Sequence, residues 1–473
     1  MSIDLTLERI QRLYHLLPPY TRPTIHIAGT NGKGSVCALV ASILRAASPP
    51  LSVGRFNSPH LVSINDSIII NEEPVSLSVY NSAKDHVLSM ATKHDSTVSS
   101  FELLTLTALV IFERAQVDFV VLEVGMGGRL DATNVIPDSS VVVSALTSVD
   151  LDHQAFLGST VSAITHEKAA IARKDKPFVL GSQKYSEVES VCRSIVAEKG
   201  GELFISGRVE QRHWDESLDG PTPPPFSASA PNPQPPAPQP VSFTISCFQE
   251  PVGALLPLHG EHQLDNLALA LTIVSLLISH PSCISLGLSA RLTPSNVTRG
   301  IATTRWRGRL SFHLVEKPKL LVLADGAHNP ASAETLAQYV HHLCGLVKQQ
   351  RTIWITYILA LSHSPPKTPI QTLSALLPQP ARDAHVKFRV AALRFTSPEG
   401  MPWVKSVPPA EIRDAVRSID SDTEVWVADE SDEAALDHAL RWAATKESDP
   451  HLVVIAGSLY LVADFYRILQ LDL

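Results

Sequence analysis

The sequence is poor in cysteine, in positive charge and in long apolar runs, and each shortage excludes a class of protein. Its 473 residues include five cysteines with no CxxC pair, so we expect free thiols in a reducing compartment rather than disulfides or a zinc site. The formal net charge of −8 disfavours a surface that neutralises nucleic acid or an anionic membrane. The longest apolar run, 267–278, is too short to span a bilayer.

The amino-terminal stretch MSIDLTLERI also lacks targeting features. It contains Asp4 and Glu8, and it has neither an apolar signal core nor an Arg-rich, acid-poor character. We therefore expect a cytoplasmic protein, with mitochondrial association left open. The acidic charge balance and the lack of a long apolar run likewise lead us to expect neither nucleic acid nor membrane as a partner.

Proline, by contrast, is abundant in one place. Ten of the 35 prolines lie between 221 and 240, within a stretch rich in Pro, Ser, Ala and Gln that carries no charge. Such a composition cannot bury enough apolar area to offset the entropy lost on ordering. We therefore predict a disordered insertion at about 216–241.

Strand and helix patterns alternate along two parts of the chain. Apolar, β-branched runs at 118–124 and 140–146 are typical of strands buried on both faces of a parallel sheet, and helical stretches lie between such runs. A second alternating series begins after about residue 300. The pattern predicts an α/β protein with two domains, 1–300 with a mainly parallel sheet and 301–473 with a Rossmann-like fold.

The sharpest motif is Gly29-Thr-Asn-Gly-Lys-Gly-Ser35, between an apolar strand at 24–29 and a helix from about 34. Backbone N–H groups and the positive end of a helix dipole can cradle phosphate oxygens there, while Lys33 adds a charge. The motif departs from G-x-x-x-x-G-K-[ST] because Ile27 takes the first glycine position and Gly34 follows the lysine. A plain glycine-rich turn is the alternative. Strand, loop, lysine and helix together predict a phosphate loop.

Two polar residues at strand ends are candidate metal ligands. Glu123 lies in an otherwise apolar strand, where a carboxylate is costly to bury unless it meets a cation. A salt bridge to Arg129 is the alternative. His153 follows the 140–146 strand, at the edge where α/β sheets bind ligands, with a solvated or capping role as the alternative. Ser58, before a proline, is a weak signal by itself because Ser-Pro is mostly turn chemistry.

Later motifs add further candidates. Lys168 lies on a predicted helix, and its sequence setting alone predicts an ordinary surface lysine. In Asp325-Gly-Ala-His-Asn-Pro330, a capped helix start explains the Asn-Pro pair but neither Asp325 nor His328. Arg305-Trp-Arg-Gly-Arg309 is either a solvated basic turn or a source of one arginine for a transferring phosphoryl group.

Taken in order, these motifs resemble those of the folylpolyglutamate synthase and dihydrofolate synthase family of Mur-type ligases. The resemblance covers most of residues 1–345 and, with GMPW (400–403) and AGSLYL (456–461), reaches the carboxyl end. The nine main motifs are IAGTNGKGS (27–35), FNSPHL (56–61), FELLT (101–105), EVGMGGRLDATN (123–134), DHQAFLG (152–158), HEKAAI (166–171), GEHQLDNLALAL (260–271), WRGRL (306–310) and DGAHNP (325–330).

Within the family the chain is most similar to the fungal dihydrofolate synthases. Eukaryotic folylpolyglutamate synthases typically carry lysine where this loop has Asn31, and Tyr-Asp-Cys-Thr-Asn where this chain has Leu-Asp-Ala-Thr-Asn at 130–134. Bacterial bifunctional enzymes share the forms seen here, so bifunctionality stays open. The chain departs from the family at Asn57, where Ser or Thr is common, and at Arg307, where Pro is common.

The resemblance implies an amino-terminal P-loop ATPase-like domain, a carboxyl-terminal Rossmann-like domain and an ATP site in the cleft between them. It implies ATP and Mg²⁺, with a carbamylated Lys168 and a monovalent cation as further options. The implied site residues are, for ATP, Gly29, Thr30, Asn31, Gly32, Lys33, Gly34, Ser35, Asn266, Arg309, Asp325 and His328; for metal, Ser58, Glu123 and His153; for catalysis, Lys33, Lys168, Arg309 and His328; for substrate, Phe101, Glu102 and Asp131.

The activity implied is ATP-dependent ligation of L-glutamate to 7,8-dihydropteroate through an acyl phosphate, giving 7,8-dihydrofolate. The alternative is a folylpolyglutamate synthase, or a bifunctional enzyme, that adds glutamates to tetrahydrofolate. A non-catalytic nucleotide-binding regulator would need the phosphate loop but not Glu123, His153 and Lys168 together.

Overall fold

The computed structural model describes residues 6–229, 232–347, 352–363, 368–377, 385–398, 401, 404–446 and 450–469. Most of the GMPW motif therefore lies outside the described residues. The strands are β1 Thr24–Ala28, β2 Val53–Phe56, β3 Ile68–Ile70, β4 Glu73–Pro74, β5 Phe119–Glu123, β6 Val141–Leu146, β7 Pro177–Leu180, β8 Glu202–Ile205, β9 Val209–Gln211, β10 Gln239–Phe243, β11 Val252–Leu256, β12 Ser311–Glu316, β13 Lys319–Ala324, β14 Ile353–Leu359, β15 Val386–Ala392, β16 Glu424–Val427 and β17 His451–Ala456.

Helices alternate with these strands, as the sequence pattern predicts. The α-helices are α1 Glu8–Tyr14, α2 Lys33–Arg45, α3 Leu77–Lys93, α4 Ser100–Ala115, α5 Gln154–Leu157, α6 Val161–Ala169, α7 Glu187–Glu198, α8 Glu216–Asp219, α9 His262–Ser279, α10 Pro294–Ala302, α11 Pro330–Leu346, α12 Pro369–Leu376, α13 Pro409–Ile419, α14 Ala435–Ala443 and α15 Leu459–Ile468. Short 3₁₀ helices cover Ile64–Ser67, Ala132–Val135, Ile284–Leu286 and Ala444–Lys446.

The amino-terminal half forms an eight-stranded sheet with β1 inside it. The strand order is β4-β3-β2-β5-β1-β6-β7-β8, and β1 runs parallel to both β5 and β6. All five residues of β1 are buried, as expected for a strand covered on both faces. Because the strands beside β1 are parallel to it, the phosphate loop, Glu123 and the residues after β6 meet at one edge of the sheet.

Helices α2 and α9 cover one face of this sheet and share one apolar cluster with it, and a smaller antiparallel sheet, β11-β10-β9, adjoins them. By length and composition, α9 is apolar enough to cross a membrane, with a mean hydropathy of 1.3. Its most apolar window is 67% buried within the fold, however, which is the pattern of a core helix.

The carboxyl-terminal half forms a six-stranded sheet in the order β12-β13-β17-β14-β15-β16. Strands β13 to β17 pair in parallel, and the edge strand β12 pairs antiparallel with β13. Apolar clusters lie on both of its faces. The prediction of an α/β fold with two mainly parallel sheets is therefore confirmed.

The two halves are joined by the segment 306–310, whose ends lie in different cores. Trp306 packs against the apolar cluster around α2 and α9, whereas Leu310 is buried in the cluster beneath the six-stranded sheet. Between them, the Gly308 N–H donates to the Tyr466 hydroxyl at 3.1 Å, and the Gly308 carbonyl accepts from the Gly326 N–H at 2.9 Å. The turn that carries Arg309 is thus held on the carboxyl-terminal side.

The proline-rich insertion is ordered where the structure describes it, contrary to the expectation from composition. Ala228 is 4% exposed within the carboxyl-terminal core, and its carbonyl accepts from the His451 N–H at 2.8 Å. Phe226 packs edge-on against Phe312, with ring centroids 6.5 Å apart. The prediction considered only the apolar area within the insertion itself, whereas Ala228 is buried and Phe226 partly buried against the carboxyl-terminal core. We call residues 226–228 the strap.

Candidate active site

The phosphate loop connects β1 to α2 and is shaped by two glycines. Gly32 takes a positive φ of 91° just before α2, a conformation that side chains rarely adopt, and Asn266 would collide with any Cβ there. Gly34 lies under the ring of Trp306, which also leaves no room for a Cβ. The loop N–H groups and the positive end of the α2 dipole therefore lie at the mouth of the cleft.

Glu123 ends β5 beside this loop. Its carboxylate accepts a hydrogen bond from the Asn57 side-chain amide at 2.7 Å and lies 3.9 Å from the Lys33 ammonium. Burial raises the pKa of Glu123, whereas Lys33 and Asn57 counteract that rise. The suggested salt bridge from Glu123 to Arg129 is wrong, since Arg129 pairs with Glu167 instead.

The buried Glu123 carboxylate is the strongest candidate magnesium ligand. No group of three or more His, Cys, Asp and Glu side chains converges within the described residues. Magnesium in nucleotide sites commonly takes one or two carboxylates, together with water and substrate phosphates, so this donor set fits that ion. Ser58 lies next to the carboxylate, since its backbone hydrogen-bonds to Glu123.

His153 follows β6 at the same edge of the sheet but is more open. Its side chain is 50% exposed and lies 4.0 Å from the Asp152 carboxylate. Its backbone precedes α5 without a side-chain cap. Asp152 also accepts a 3.5 Å hydrogen bond from Asn329, so this loop touches the carboxyl-terminal half.

Lys168 is buried rather than on the surface, in contrast to what its helix position suggests. It is 3% exposed, and its ammonium donates to the Gly29 carbonyl of the phosphate loop at 2.8 Å. Burial, together with the neighbouring Lys33, lowers the pKa of Lys168 to about 7. A large share of this amine is therefore neutral near physiological pH.

Asn266 lies on α9 against the phosphate loop. Its amide donates to Gln263 at 2.9 Å, and Gln263 in turn donates to the Ser35 hydroxyl at 3.3 Å. This short chain ties the first turn of α9 to the first turn of α2. The structure therefore brings Asn266 to within contact of the loop glycine Gly32.

Arg309, Asp325 and His328 come together on the carboxyl-terminal side. Asp325 is buried and accepts hydrogen bonds from the backbone of Leu310 and Ala327, each at 2.8 Å. Burial raises the pKa of Asp325, whereas Arg309 counteracts that rise. Arg309 donates to the Gly308 carbonyl at 2.9 Å, and the exposed His328 bonds to the Gly326 carbonyl at 2.8 Å.

Three residues expected to bind substrate lie on the other face of the sheet. Phe101 covers Gly125, and its ring centroid is 6.3 Å from that of Phe56. Glu102 caps α4 and accepts from Arg9 at 2.8 Å, so its carboxylate is engaged within the fold. Asp131 is buried, and its carboxylate accepts from Met126 and Thr133 of its own loop.

Sequence reasoning missed three contributors to this site. Asn57 was singled out only as a departure from the family pattern, although it bonds to Glu123. Arg55 and Trp306 received no role, yet the Arg55 guanidinium stacks on the Trp306 ring. An arginine in the apolar strand VGRF was the one available signal.

Comparison with known proteins gives consistent relationships. A family described as the dihydrofolate synthetase C-terminal domain matches residues 309–468. The chain is 32% identical to dihydrofolate synthetase of Saccharomyces cerevisiae over 476 residues, covering 99% of this chain and 98% of the yeast protein. It is 33% identical to the probable dihydrofolate synthetase of Schizosaccharomyces pombe, covering 100% of both chains.

Solved structures agree with these relatives. Folylpolyglutamate synthase of Mycobacterium tuberculosis complexed with ADP superposes with a TM-score of 0.76 at 27% identity, covering 100% of this chain and 96% of that one. E. coli FolC in complex with DHPP and ADP gives a TM-score of 0.73 at 26% identity, covering 99% of this chain and 94% of that one. The chain therefore belongs to the dihydrofolate synthase and folylpolyglutamate synthase family of ATP-dependent ligases.

Proposed function

We propose that the protein ligates L-glutamate to 7,8-dihydropteroate at the expense of ATP, giving 7,8-dihydrofolate, ADP and phosphate. Similarity to two fungal dihydrofolate synthetases over the full length of the chain carries this proposal. The phosphate loop beside a buried carboxylate supports the use of a nucleotide. Small molecules are thus its substrates.

The chemistry takes two displacements. A carboxylate is a poor electrophile, so the pteroate carboxylate oxygen first attacks the γ-phosphorus of ATP, and ADP leaves. The amine of glutamate then attacks the carbonyl carbon of the acyl phosphate, loses a proton and expels phosphate, which forms the amide. No covalent bond to the enzyme is needed.

The chain acts mainly by positioning and by balancing charge. The amino end of α2 and the residues Gly29–Ser35 bind the phosphates, and Lys33 contacts the transferred group. Arg309 approaches from the other domain, where Asp325 holds its turn through the Leu310 N–H. Asn266, against the phosphate loop, contacts the adenine, and His328, on the loop that follows β13, contacts the nucleotide from the carboxyl-terminal side.

A divalent ion fits beside this loop. Glu123 and Ser58 would bind it, with His153 able to join from the loop after β6. Bound there, it would neutralise charge on the phosphate oxygens. The 3.9 Å approach of Lys33 to Glu123 indicates that the cluster already compensates the buried carboxylate in part.

Lys168 is suited to carbamylation. Its neutral amine would add to CO₂ and release a proton, giving a carbamate with one negative charge. The pKa of about 7 supplies the neutral amine that this reaction needs, and the buried setting beside Gly29 places the new charge near the phosphate loop. A monovalent cation is the natural counterion for it.

The pteroate site is proposed around Phe101, whose ring lies over Gly125. Asp131 shapes this site by holding the 125–133 loop through its backbone contacts. Glu102 contributes indirectly, because its carboxylate fixes the start of α4. Phe101 is then free to stack on a pterin or benzoyl ring.

We further propose a cytoplasmic monomer with a domain boundary near residue 300. All five cysteines are free thiols, which suits a reducing compartment. The apolar clusters of the two sheets meet at the 306–310 segment, just beyond that boundary.

The second candidate is glutamate addition to tetrahydrofolate. It is favoured by 34% identity over 372 residues to the dihydrofolate synthase/folylpolyglutamate synthase of Mycobacterium tuberculosis, covering 72% of this chain and 67% of that protein.

A paired assay separates the two functions. Purified enzyme receives MgATP and labelled glutamate with either dihydropteroate or tetrahydrofolate. Ligation to dihydropteroate alone supports the first proposal, and ligation to both acceptors indicates a bifunctional enzyme. Ligation to tetrahydrofolate alone would overturn the first proposal.

A further inference from the structure

Arg55 is a buried cation whose hydrogen-bonding capacity the fold leaves partly unused. It lies on β2 at 6% exposure, and its Nε and Nη1 atoms have no hydrogen-bond partner. A buried donor without a partner is destabilising, and an apolar residue of similar length often stabilises such a position.

Carboxylates of Glu72, Glu123 and Asp66 act on the charge of Arg55 from a distance, whereas its direct contact is with the aromatic ring of Trp306. The guanidinium carbon of Arg55 lies 5.0 Å from the ring centroid, within the range of a cation–π contact. The same ring lies so close to Gly34 that no Cβ fits between them. Arg55, Trp306 and the first turn of α2 therefore form one packed group.

Trp306 is also one end of the segment that joins the two sheets. Three residues later the chain carries Arg309, and four residues later Leu310 enters the other core. The Ser311 hydroxyl lies 3.4 Å from the Trp306 carbonyl and accepts from the Arg309 N–H at 3.3 Å. One hydroxyl group thus links the backbone of Trp306, the residue that carries the ring, to the backbone of Arg309.

We propose that Arg55 is a positioning residue that holds Trp306 on the phosphate loop and thereby sets the place of Arg309 over the nucleotide phosphates. The proposal rests on the assignment of the phosphate loop and Arg309 made above. It explains why a buried arginine with unmade hydrogen bonds stands on this strand: the functional contact is the one between its cationic guanidinium and the Trp306 ring.

A double-mutant cycle tests the coupling. Full-length wild type, Arg55→Met, Trp306→Leu and the double variant are compared by the dissociation constants of ADP and of a non-hydrolysable ATP analogue, by kcat and KM for ATP, and by thermal midpoint. Arg45→Met is the matched control. Arg45 is an arginine of α2 that bonds the Leu51 carbonyl, away from the ring.

Arg55→Met should weaken binding of the ATP analogue about fivefold, in line with one cation–π contact, while its thermal midpoint stays equal or rises. Arg45→Met should leave nucleotide binding unchanged. The double variant should bind no more weakly than Trp306→Leu, because the ring through which Arg55 acts is already gone. Arg55→Lys should recover part of the loss.

Additive losses in the double variant would overturn the proposal, as would wild-type affinity in Arg55→Met. A loss fully accounted for by a smaller folded fraction would also overturn it. Should Arg55→Met not fold, the same cycle is run with Arg55→Lys, where additivity again contradicts coupling. The binding measurements of the double-mutant cycle contain no acceptor. If the proposed acceptor is wrong, the ligation assay will therefore show it, and the binding constants of the cycle can still be interpreted.

Discussion

The two sides of the cleft differ in how their charged groups are held. On the phosphate-loop side, Glu123, Lys33 and Lys168 lie close together, and each is bonded to or compensated by the cluster. On the other side, Asp325 is occupied by backbone N–H groups and Arg309 bonds only a carbonyl of its own turn among the described contacts. The first side is thus a balanced charge cluster, and the second offers a cation on a shaped turn.

From this difference we expect the phosphate-loop side to supply most of the binding free energy for the nucleotide phosphates. We expect the Arg309 side to stabilise the phosphoryl group while it is being transferred. Lys33→Ala should then lower ligation by on the order of 10²–10³-fold, because it removes the cation beside both the phosphates and Glu123. Arg309→Ala should lower kcat more than it weakens ADP binding. The measurements are steady-state kinetics and ADP calorimetry on both variants.

If Lys33→Ala and Arg309→Ala have the same effects, the proposed difference between the two sides of the cleft is wrong. Equal losses of ADP affinity would mean that both sides bind the ground state. If Lys33→Ala ligates glutamate at the wild-type rate, this result contradicts the proposal that residues 29–35 bind the nucleotide phosphates. Thermal midpoints near the wild-type value are the control for folding.

A smaller effect is expected from Glu123→Gln. The substitution keeps the shape and the Asn57 contact in part but removes the charge, so the Mg²⁺ concentration for half-maximal activity should rise about tenfold. A magnesium titration of ligation at saturating ATP measures it. An unchanged titration curve would argue against metal binding by Glu123, and Glu167→Gln, in a carboxylate paired with Arg129, is the control.

On the phosphate-loop side, the lowered pKa of Lys168 predicts how the free energy of unfolding depends on pH. Its pKa is lowered to about 7 in the fold from an ordinary 10.5, so between those values the unfolded chain binds one more proton. The free energy of unfolding should therefore rise with pH across this window, by up to about 1.4 kcal/mol per unit. Denaturant titrations of wild type and Lys168→Met in CO₂-free buffer check this: the variant should lack that share of the slope. Parallel curves would contradict a neutral buried lysine.

The smallest effect on turnover is expected at the strap, which lies away from the charged groups. Phe226→Ala should lower the free energy of unfolding by about 1–2 kcal/mol, since Phe226 is only partly buried against Phe312, and should change kcat less than twofold. Phe226→Leu is the conservative control. A tenfold loss of kcat at unchanged stability would give the strap a part in turnover.

Much of the fold follows from local pattern. The buried runs predict β5, β6 and most strands of the second sheet because strands covered on both faces are apolar throughout. Strand β12 has no such run, because SFHLVE is an edge strand whose residues are mostly half-buried or exposed, and so the local pattern does not predict it. The insertion was judged by composition, although its burial depends on Phe312 and His451, residues distant in sequence.

The placement of the phosphate loop between β1 and α2 was predictable, because its motif stands between a strand pattern and a helix pattern, whereas the roles of its residues stay predictions. The site was not predictable where its chemistry lies in a contact. Lys168 has the sequence setting of a surface lysine, and only its burial against Gly29 changes its protonation. The stacking of Arg55 on Trp306 joins residues far apart in the chain, which no local pattern reports.

The strap also has a consequence for the order of events during synthesis. The Ala228 carbonyl accepts from the N–H of His451, which begins β17, and β17 lies inside the second sheet. A growing chain therefore has the strap long before its binding site exists, whereas the amino-terminal sheet can already close around β1. The strap can therefore bind only after almost the entire polypeptide has been synthesised. Its binding is a late step, which requires that β17 has already joined the carboxyl-terminal sheet.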